Sequence, residues 1–298
     1  MRDVVKRRED GIRMKKKQNY MKTDNAIVGI FTVVLIISLI IGVMAVINTV
    51  YVPQWMKQAE FRHMNQVLNQ FAQLKYALDI QSITNGSSAI GSLVTMGTIE
   101  IPFLGVHQSF DELSIPSKSC TLSITNKTGS HSSYTTDSIK FTSHNTNFVD
   151  QSYIYEAGVL ILDQAEQSVL LARPSILVTK YRENLSITFI NTTAGTGSNN
   201  FASGRGTFPI YTQIIQNNQQ YTVIHNVTNI TIQTHYPDAW CQAFNVSLSY
   251  SGINHTIIET TNGIIVNLTD TKRDYNIFIR EIKISVDLAF GLVEKAYL

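Results

Sequence analysis

From Asn25 to Met56 the chain has no charged side chain, and Ala26 to Ile47 gives 22 consecutive residues of which fifteen are Ile, Leu, Val or Phe. At about 1.5 Å of rise per residue, a helix of that length covers about 33 Å, close to the hydrocarbon thickness of a bilayer. Each Ile, Leu, Val or Phe near the centre favours insertion by about 0.3–0.6 kcal/mol, which together outweighs the small or polar residues of the stretch. Residues 25–52 therefore read as one transmembrane helix. A cleaved secretory signal fits less well, because its apolar core runs to only about 7–15 residues.

Past Pro53 the pattern becomes amphipathic. Phe61, Met64, Leu68, Phe71, Leu74 and Leu78 recur three or four apart, as one stripe of a helix, while Gln66, Asn69, Gln70 and Gln73 give a polar, uncharged side. Pro53 lacks a backbone donor and crowds the preceding turn, which predicts a kink or short break there. Thr84-Asn85-Gly86 predicts the end of the helix. Residues 53–82 thus form a stalk helix. Its stripe of Phe61, Met64, Leu68, Phe71 and Leu78 is a candidate assembly surface for neighbouring copies. In the span the close-packing cue is Ser38-x-x-x-Gly42.

Charge placement sets the expected topology. Met1–Lys22 holds nine Lys or Arg against three acids, whereas Tyr51–Leu298 holds fifteen against eighteen. Basic residues flanking a span stay in the cytoplasm, so 1–24 reads as a cytoplasmic arm and 83–298 as an extracellular domain. A basic tail can also bind nucleic acid, but the topology explains these charges without a further partner. Membrane lipid is the partner inferred, and nucleic acid is not.

From Ser87 onward the composition is that of β-sheet, rich in Thr, Ser, Ile, Val and Tyr. Apolar and polar residues alternate over Cys120–Thr125, Leu185–Phe189 and Phe244–Tyr250, each pattern predicting a strand with one face inward. Tyr153 to Leu162, apolar on both faces apart from Glu156, predicts a central strand bent at Gly158. Asn262-Gly263 between β-branched runs predicts a type I′ hairpin over His255–Leu268. The inward parity changes between Ile279 and Ile282, which predicts a β-bulge near Arg280 and Glu281. Thr192–Gly206, with four glycines, reads as a long loop. The fold class expected is mainly β with an N-terminal α stalk, the head an antiparallel β-sandwich.

Catalytic and cofactor signatures are missing. There is no Gly-x-Ser-x-Gly elbow, no phosphate-binding Gly-Lys-Ser/Thr loop and no Gly-x-Gly-x-x-Gly, so no cofactor is expected. Of seven histidines the nearest to a metal spacing are His225 and His235, with Asp238 the close acid. Tyr153, Tyr155, Tyr211, Tyr221, Tyr236 and Trp240 suit either a core or a sugar-binding surface.

Acceptors for N-glycosylation, by contrast, number nine: Asn85, Asn126, Asn184, Asn191, Asn226, Asn229, Asn245, Asn254 and Asn267. Chance at this composition predicts roughly four. All nine fall outside the membrane on the topology above. The two cysteines, Cys120 and Cys241, lie in the same presumed external domain and are a candidate disulfide.

With the basic arm, the Asp24-Asn25-Ala26-Ile27-Val28-Gly29-Ile30 entry and the amphipathic continuation in view, the N-terminal quarter resembles archaeal type IV pilin-like and archaellin-like proteins. Val50-Tyr51-Val52-Pro53-Gln54-Trp55-Met56, His63-Met64-Asn65, Phe71-Ala72-Gln73-Leu74-Lys75, Thr98-Ile99-Glu100-Ile101-Pro102-Phe103-Leu104 and Tyr153-Ile154-Tyr155-Glu156-Ala157-Gly158 look like an uncharacterised group of methanogen membrane proteins. The resemblance implies a non-enzymatic surface subunit whose N-terminal helix packs in a filament core while the β head faces outward. The chain departs from the pattern in having no Gly or Ala in Met14–Asn25, where a prepilin is cut, and no Glu in the span. Other expectations are an envelope-anchored adhesin or glycan-binding module that stays monomeric and, more distantly, a membrane-tethered enzyme acting on surface glycans.

Overall fold

The computed structural model describes residues 28–84, 86, 88–97, 110–165, 167–174, 176–178, 184–195, 199–217, 220–268 and 274–288. The basic arm, Asn85 and Thr98–Leu104 lie outside them. The chain divides into two compact units, Met1–Met56 and Lys57–Leu298.

In the first unit a helix, α1 (Val28–Thr84), begins, long and apolar enough to cross a membrane. Its side chains are exposed from Val28 to Val46. Thr32, Ser38 and Thr49 donate their hydroxyls to carbonyls four residues earlier at 2.8–2.9 Å, so these polar groups are satisfied within the helix itself. In place of a break at Pro53 there is a π turn, Ile47–Tyr51, closed by the Val52 N–H on the Ile47 carbonyl. The wider turn sits where the proline ring would meet the carbonyl four residues back, so the helix absorbs Pro53 and continues.

Sixteen strands are described in the second unit. They are β1 (Ile90–Met96), β2 (Asp111–Ser114), β3 (Cys120–Asn126), β4 (His131–Thr136), β5 (Ser138–Ser143), β6 (Ser152–Glu156), β7 (Val159–Gln164), β8 (Gln167–Ala172), β9 (Ile176–Val178), β10 (Asn184–Ala194), β11 (Phe201–Gly204), β12 (Gly206–Asn217), β13 (Thr222–Gln233), β14 (His255–Thr260), β15 (Gly263–Leu268) and β16 (Tyr275–Leu288). A second helix, α2 (Pro237–Tyr250), separates β13 from β14. The smaller sheet runs β11-β2-β5-β6-β7-β8. The larger follows β1-β12-β16-β13-β15-β14, with β10 and β9 beside β16, and β3 and β4 beside β13. The pairings are antiparallel with one exception: β10 lies parallel to β16 in unbroken register from Asn184↔Asn276 to Ala194↔Val286.

That register corrects the bulge expected near Arg280 and Glu281. Tyr275, Ile277 and Ile279 are buried on one face of β16, whereas Ile282, Ile284, Val286 and Leu288 are buried on the other. Leu185, Ile187 and Phe189 of β10 join the first set in one core, and Ile190 joins the second set in another. The parity change is the point where the two strands pass from one core to the next on the opposite face, with no residue inserted between them. Insertions occur instead in β12, between Ile214 and Gln216, and in β13, between Ile224 and Val227.

Three other expectations are corrected. Phe244–Tyr250 is helix, not strand: Pro237 opens α2, Asp238 sits in its first turn, and Ala239, Trp240, Ala243, Phe244 and Leu248 recur at helical spacing on its buried face. Tyr153–Leu162 is a hairpin of β6 and β7, turned by Ala157 and Gly158, both at positive φ (48° and 90°). Thr192–Gly206 is not all loop, since it contains the end of β10 and all of β11.

The His255–Leu268 hairpin forms as expected, yet its turn residues are Thr261 and Asn262, and Gly263 opens β15 opposite Thr260. Gly263 is needed for close approach as well as for its φ of 146°, because a Cβ there would lie 1.9 Å from the Ile232 carbonyl oxygen on β13. Gly263→Ala should therefore cost about 1–3 kcal/mol through forced backbone shifts, read as a lowered urea midpoint of the full chain in detergent. An unchanged midpoint would contradict the packing.

Candidate functional site

The part of α1 in the second unit is a core element of the head. Met64, Val67, Phe71, Leu74 and Leu78 are 0–1% exposed and pack with Val94, Leu113, Ile139, Phe141, Tyr153 and the distal half of β16. Phe71 lies 6.2 Å from the Phe141 ring and 6.1 Å from that of Tyr153. This corrects the reading of the stripe as a surface for neighbours. Met64, Phe71 and Leu78 are enclosed by the sheets of their own chain, and Leu68 packs against the same core. Phe61 alone is half exposed, and it meets Phe148 edge-on at 5.7 Å.

Polar contacts fix the helix in place. The buried Glu60 carboxylate accepts the backbone N–H groups of Thr146 and Asn147 at 3.1 and 2.8 Å. His63 Nε2 lies 2.7 Å from Asp111 Oδ2, which also accepts the Gly97 N–H at 2.6 Å; both side chains are buried. Gln81 donates to the Thr212 carbonyl at 2.8 Å. On the free edge of β1, Gln70 accepts the Thr95 N–H at 2.9 Å and donates to the Thr95 hydroxyl at 2.8 Å. On β8, Gln242 of α2 accepts the Leu170 N–H, and the Ser168 hydroxyl accepts the Ala239 N–H. Both helices thus occupy sheet edges that would otherwise be open to other strands. The outer side of α1 forms a shallow, open groove lined by Arg62, Asn65, Gln66, Asn69, Gln70, Gln73 and Leu93.

Among the described residues the other core holds one charged side chain, Glu156, at the end of β6 and fully buried. Its Oε1 accepts both the Thr234 hydroxyl, at 2.7 Å, and the Trp240 indole N–H, at 2.8 Å. Burial pushes its carboxyl up to about 7, against the pull of those bonds and of the Cys120 thiol beside it. No N–H or O–H among the described residues reaches Oε2. A carboxyl near neutrality resembles a general acid or base, but among the described residues this one is fully enclosed in the core.

Cys120 and Cys241 are free thiols. Cys120 is buried at the start of β3 beside Glu156, whereas Cys241 lies on α2 next to Glu259 of β14. The candidate disulfide is corrected accordingly. Burial raises the Cys120 thiol well above its ordinary range and the Cys241 thiol to about 11, with Glu259 and Asp238 adding to the latter, so neither is an activated nucleophile. His225 Nδ1 contacts Asn276 Oδ1 at 3.1 Å. Among the described residues no group of three His, Cys, Asp or Glu side chains is placed to hold a metal ion.

The acceptor asparagines differ in setting. Asn226, Asn245 and Asn254 are exposed, Asn126, Asn184, Asn229 and Asn267 half-buried, and Asn191 buried, its amide donated to Glu281 at 2.7 Å. Asn245 falls on α2 rather than on a strand. Sequence reasoning missed the His63–Asp111 pair, whose members lie 48 positions apart with no signal to link them. Glu156 did leave one, as the single charge in an apolar run. Set against family models, curated proteins and solved structures, the chain matches none.

Proposed function

We propose that the protein is a non-enzymatic, single-pass surface protein of archaeal type IV pilin-like ancestry, with a cytoplasmic N-terminus and an extracellular, N-glycosylated head of β-sandwich type. The observation that carries this reading is the helix Val28–Thr84, whose first part is apolar and exposed and whose last part is a core element of a β domain. An apolar surface of that length is stable in a bilayer and not in water.

A second reading, an anchored module that acts as a monomer, is favoured by the burial of Met64, Phe71 and Leu78, which removes the apolar stripe from lateral assembly. Under the pilin-like reading, neighbours would meet α1 on its outer side, where Ala72, Tyr76 and Ile83 are exposed.

Protease added to intact cells should digest the head and spare a tag at Met1. Loss of the tag from sealed cells would reverse the orientation, and survival of both would place the head inside.

A further inference from the structure

Six of the nine acceptor asparagines, spread through the sequence from Asn126 to Asn267, are brought onto one transverse line across the larger sheet. The line crosses β13 at residues 226–229. There β16 begins, with Tyr275 opposite Val227, and β3 ends, with Asn126 opposite the same residue. Asn184 opens β10 opposite Asn276. Asn229 faces Asn267 near the end of β15, which lies beside Thr256 at the start of β14, two residues after Asn254. Thus β10, β14 and β16 start and β3 and β15 stop on one line, while among the described residues β13 runs through it. Hydrogen bonds tie the ends together: the Lys127 N–H donates to the Asn226 carbonyl at 2.9 Å, and Asn276 donates to Asn184 Oδ1 at 3.2 Å.

The settings along this line sort the acceptors. Asn126 lies on the β3–β4 turn, where its Oδ1 accepts the Thr128 N–H at 3.1 Å, the Thr128 hydroxyl at 2.8 Å and the Ser130 N–H at 2.8 Å. Donors on the carbonyl oxygen draw charge toward it and make the amide N–H more acidic. The hydroxyl that the acceptor motif requires is thus already directed at its own asparagine. Asn226, exposed at a φ of 57°, stands on the bulge of β13, and Asn254 is exposed in the turn between α2 and β14. Asn191, by contrast, is buried with its amide nitrogen engaged, and the Oδ1 of Asn229 is buried between paired strands.

We infer that this line is a glycan-bearing crease, with Asn126, Asn226 and Asn254 as the acceptors and Asn191 and Asn229 excluded. The inference rests on the extracellular reading of the head. The donor class is an oligosaccharide linked through phosphate to a membrane lipid. In the transfer, Asn Nδ2 forms a bond to the sugar C1 and the C1–O bond breaks. The lipid phosphate leaves with the electron pair, and one amide proton passes to a base of the transferase and on to water. A row of strand termini is also where an oligosaccharide can project without displacing a strand.

Glycopeptide mapping of the full chain from its native membrane tests this. Sugar on at least two of Asn126, Asn226 and Asn254, with Asn191 bare, is the expected result; fewer than two, or an occupied Asn191, overturns it. Asn126→Asp keeps the oxygen that holds the turn, and Thr128→Val keeps the asparagine. Each should lower the intact mass by the same single glycan, and an unchanged mass in both counts against the assignment of Asn126. The protease assay separates the two levels. Bare acceptors on a protease-accessible head defeat the inference alone, while a protected head defeats the reading beneath it.

Discussion

Phe71→Asp should abolish the folded head, whereas Tyr76→Asp and Ile83→Asp should leave it intact. Phe71 is fully enclosed between Phe141 and Tyr153, and truncating such a ring costs about 3–5 kcal/mol before any charge is added. An unpaired carboxylate in that core adds several kcal/mol more, against a total stability of about 5–15 kcal/mol for a domain. Tyr76 and Ile83, by comparison, are 68% and 75% exposed on the same helix, where a substitution usually shifts stability by no more than about 0.5 kcal/mol. Limited proteolysis and near-ultraviolet dichroism of the full chain in detergent distinguish the two outcomes. A folded Phe71→Asp head would return the stripe to the solvent. If copies associate through α1, it is the Tyr76 and Ile83 changes that should disperse them while the head persists.

Glu156→Gln should flatten the dependence of stability on pH. With its carboxyl near 7 in the folded state and 4.5 as the ordinary value, the unfolded chain gives up this proton first. Stability from this group is whole below about pH 4.5, is lost as pH rises through 7, and then levels off. The loss amounts to about 3 kcal/mol. The groups facing the carboxyl do not offset it, because burial raises the Cys120 thiol and the Tyr236 hydroxyl and keeps both neutral. Glutamine retains the oxygen that Thr234 and Trp240 use and cannot ionise. Urea unfolding at pH 5 and pH 8 should therefore show wild type weakening by most of that amount, about 2.5 kcal/mol, relative to the variant. Parallel behaviour of the two proteins would mean that Glu156 is not the titrating group.

How much of this was legible depends on whether the signal was local. The apolar run, the alternation in Cys120–Thr125 and the His255–Leu268 hairpin are set by neighbours a few residues apart, and these elements form where the sequence puts them, with the hairpin's turn moved by one residue. The stripe on α1 was also visible. Its partner was not, because an amphipathic face states only that something apolar covers it, and Phe141 and Tyr153 lie at least 70 positions away. Phe244–Tyr250 shows the opposite failure. Over seven residues an alternation also satisfies part of a helical period, and Pro237 with Asp238 decided the outcome. The parity change in β16 was visible but was read as an insertion that keeps one inward face, since a second core on the far side of the sheet leaves no trace in one strand.

Because α1 supplies core residues from Met64 to Leu78, the boundary of the head as a folding unit lies inside the helix, near Lys57, rather than at Thr84. On the extracellular reading proposed above, release of the head from a cell by proteolysis is thereby restricted. A cut within Met64–Leu78 removes part of the hydrophobic interior along with the anchor, so what is released unfolds and becomes a substrate for further degradation. Intact shedding requires a protease that works before Glu60, close to the end of the uncharged run.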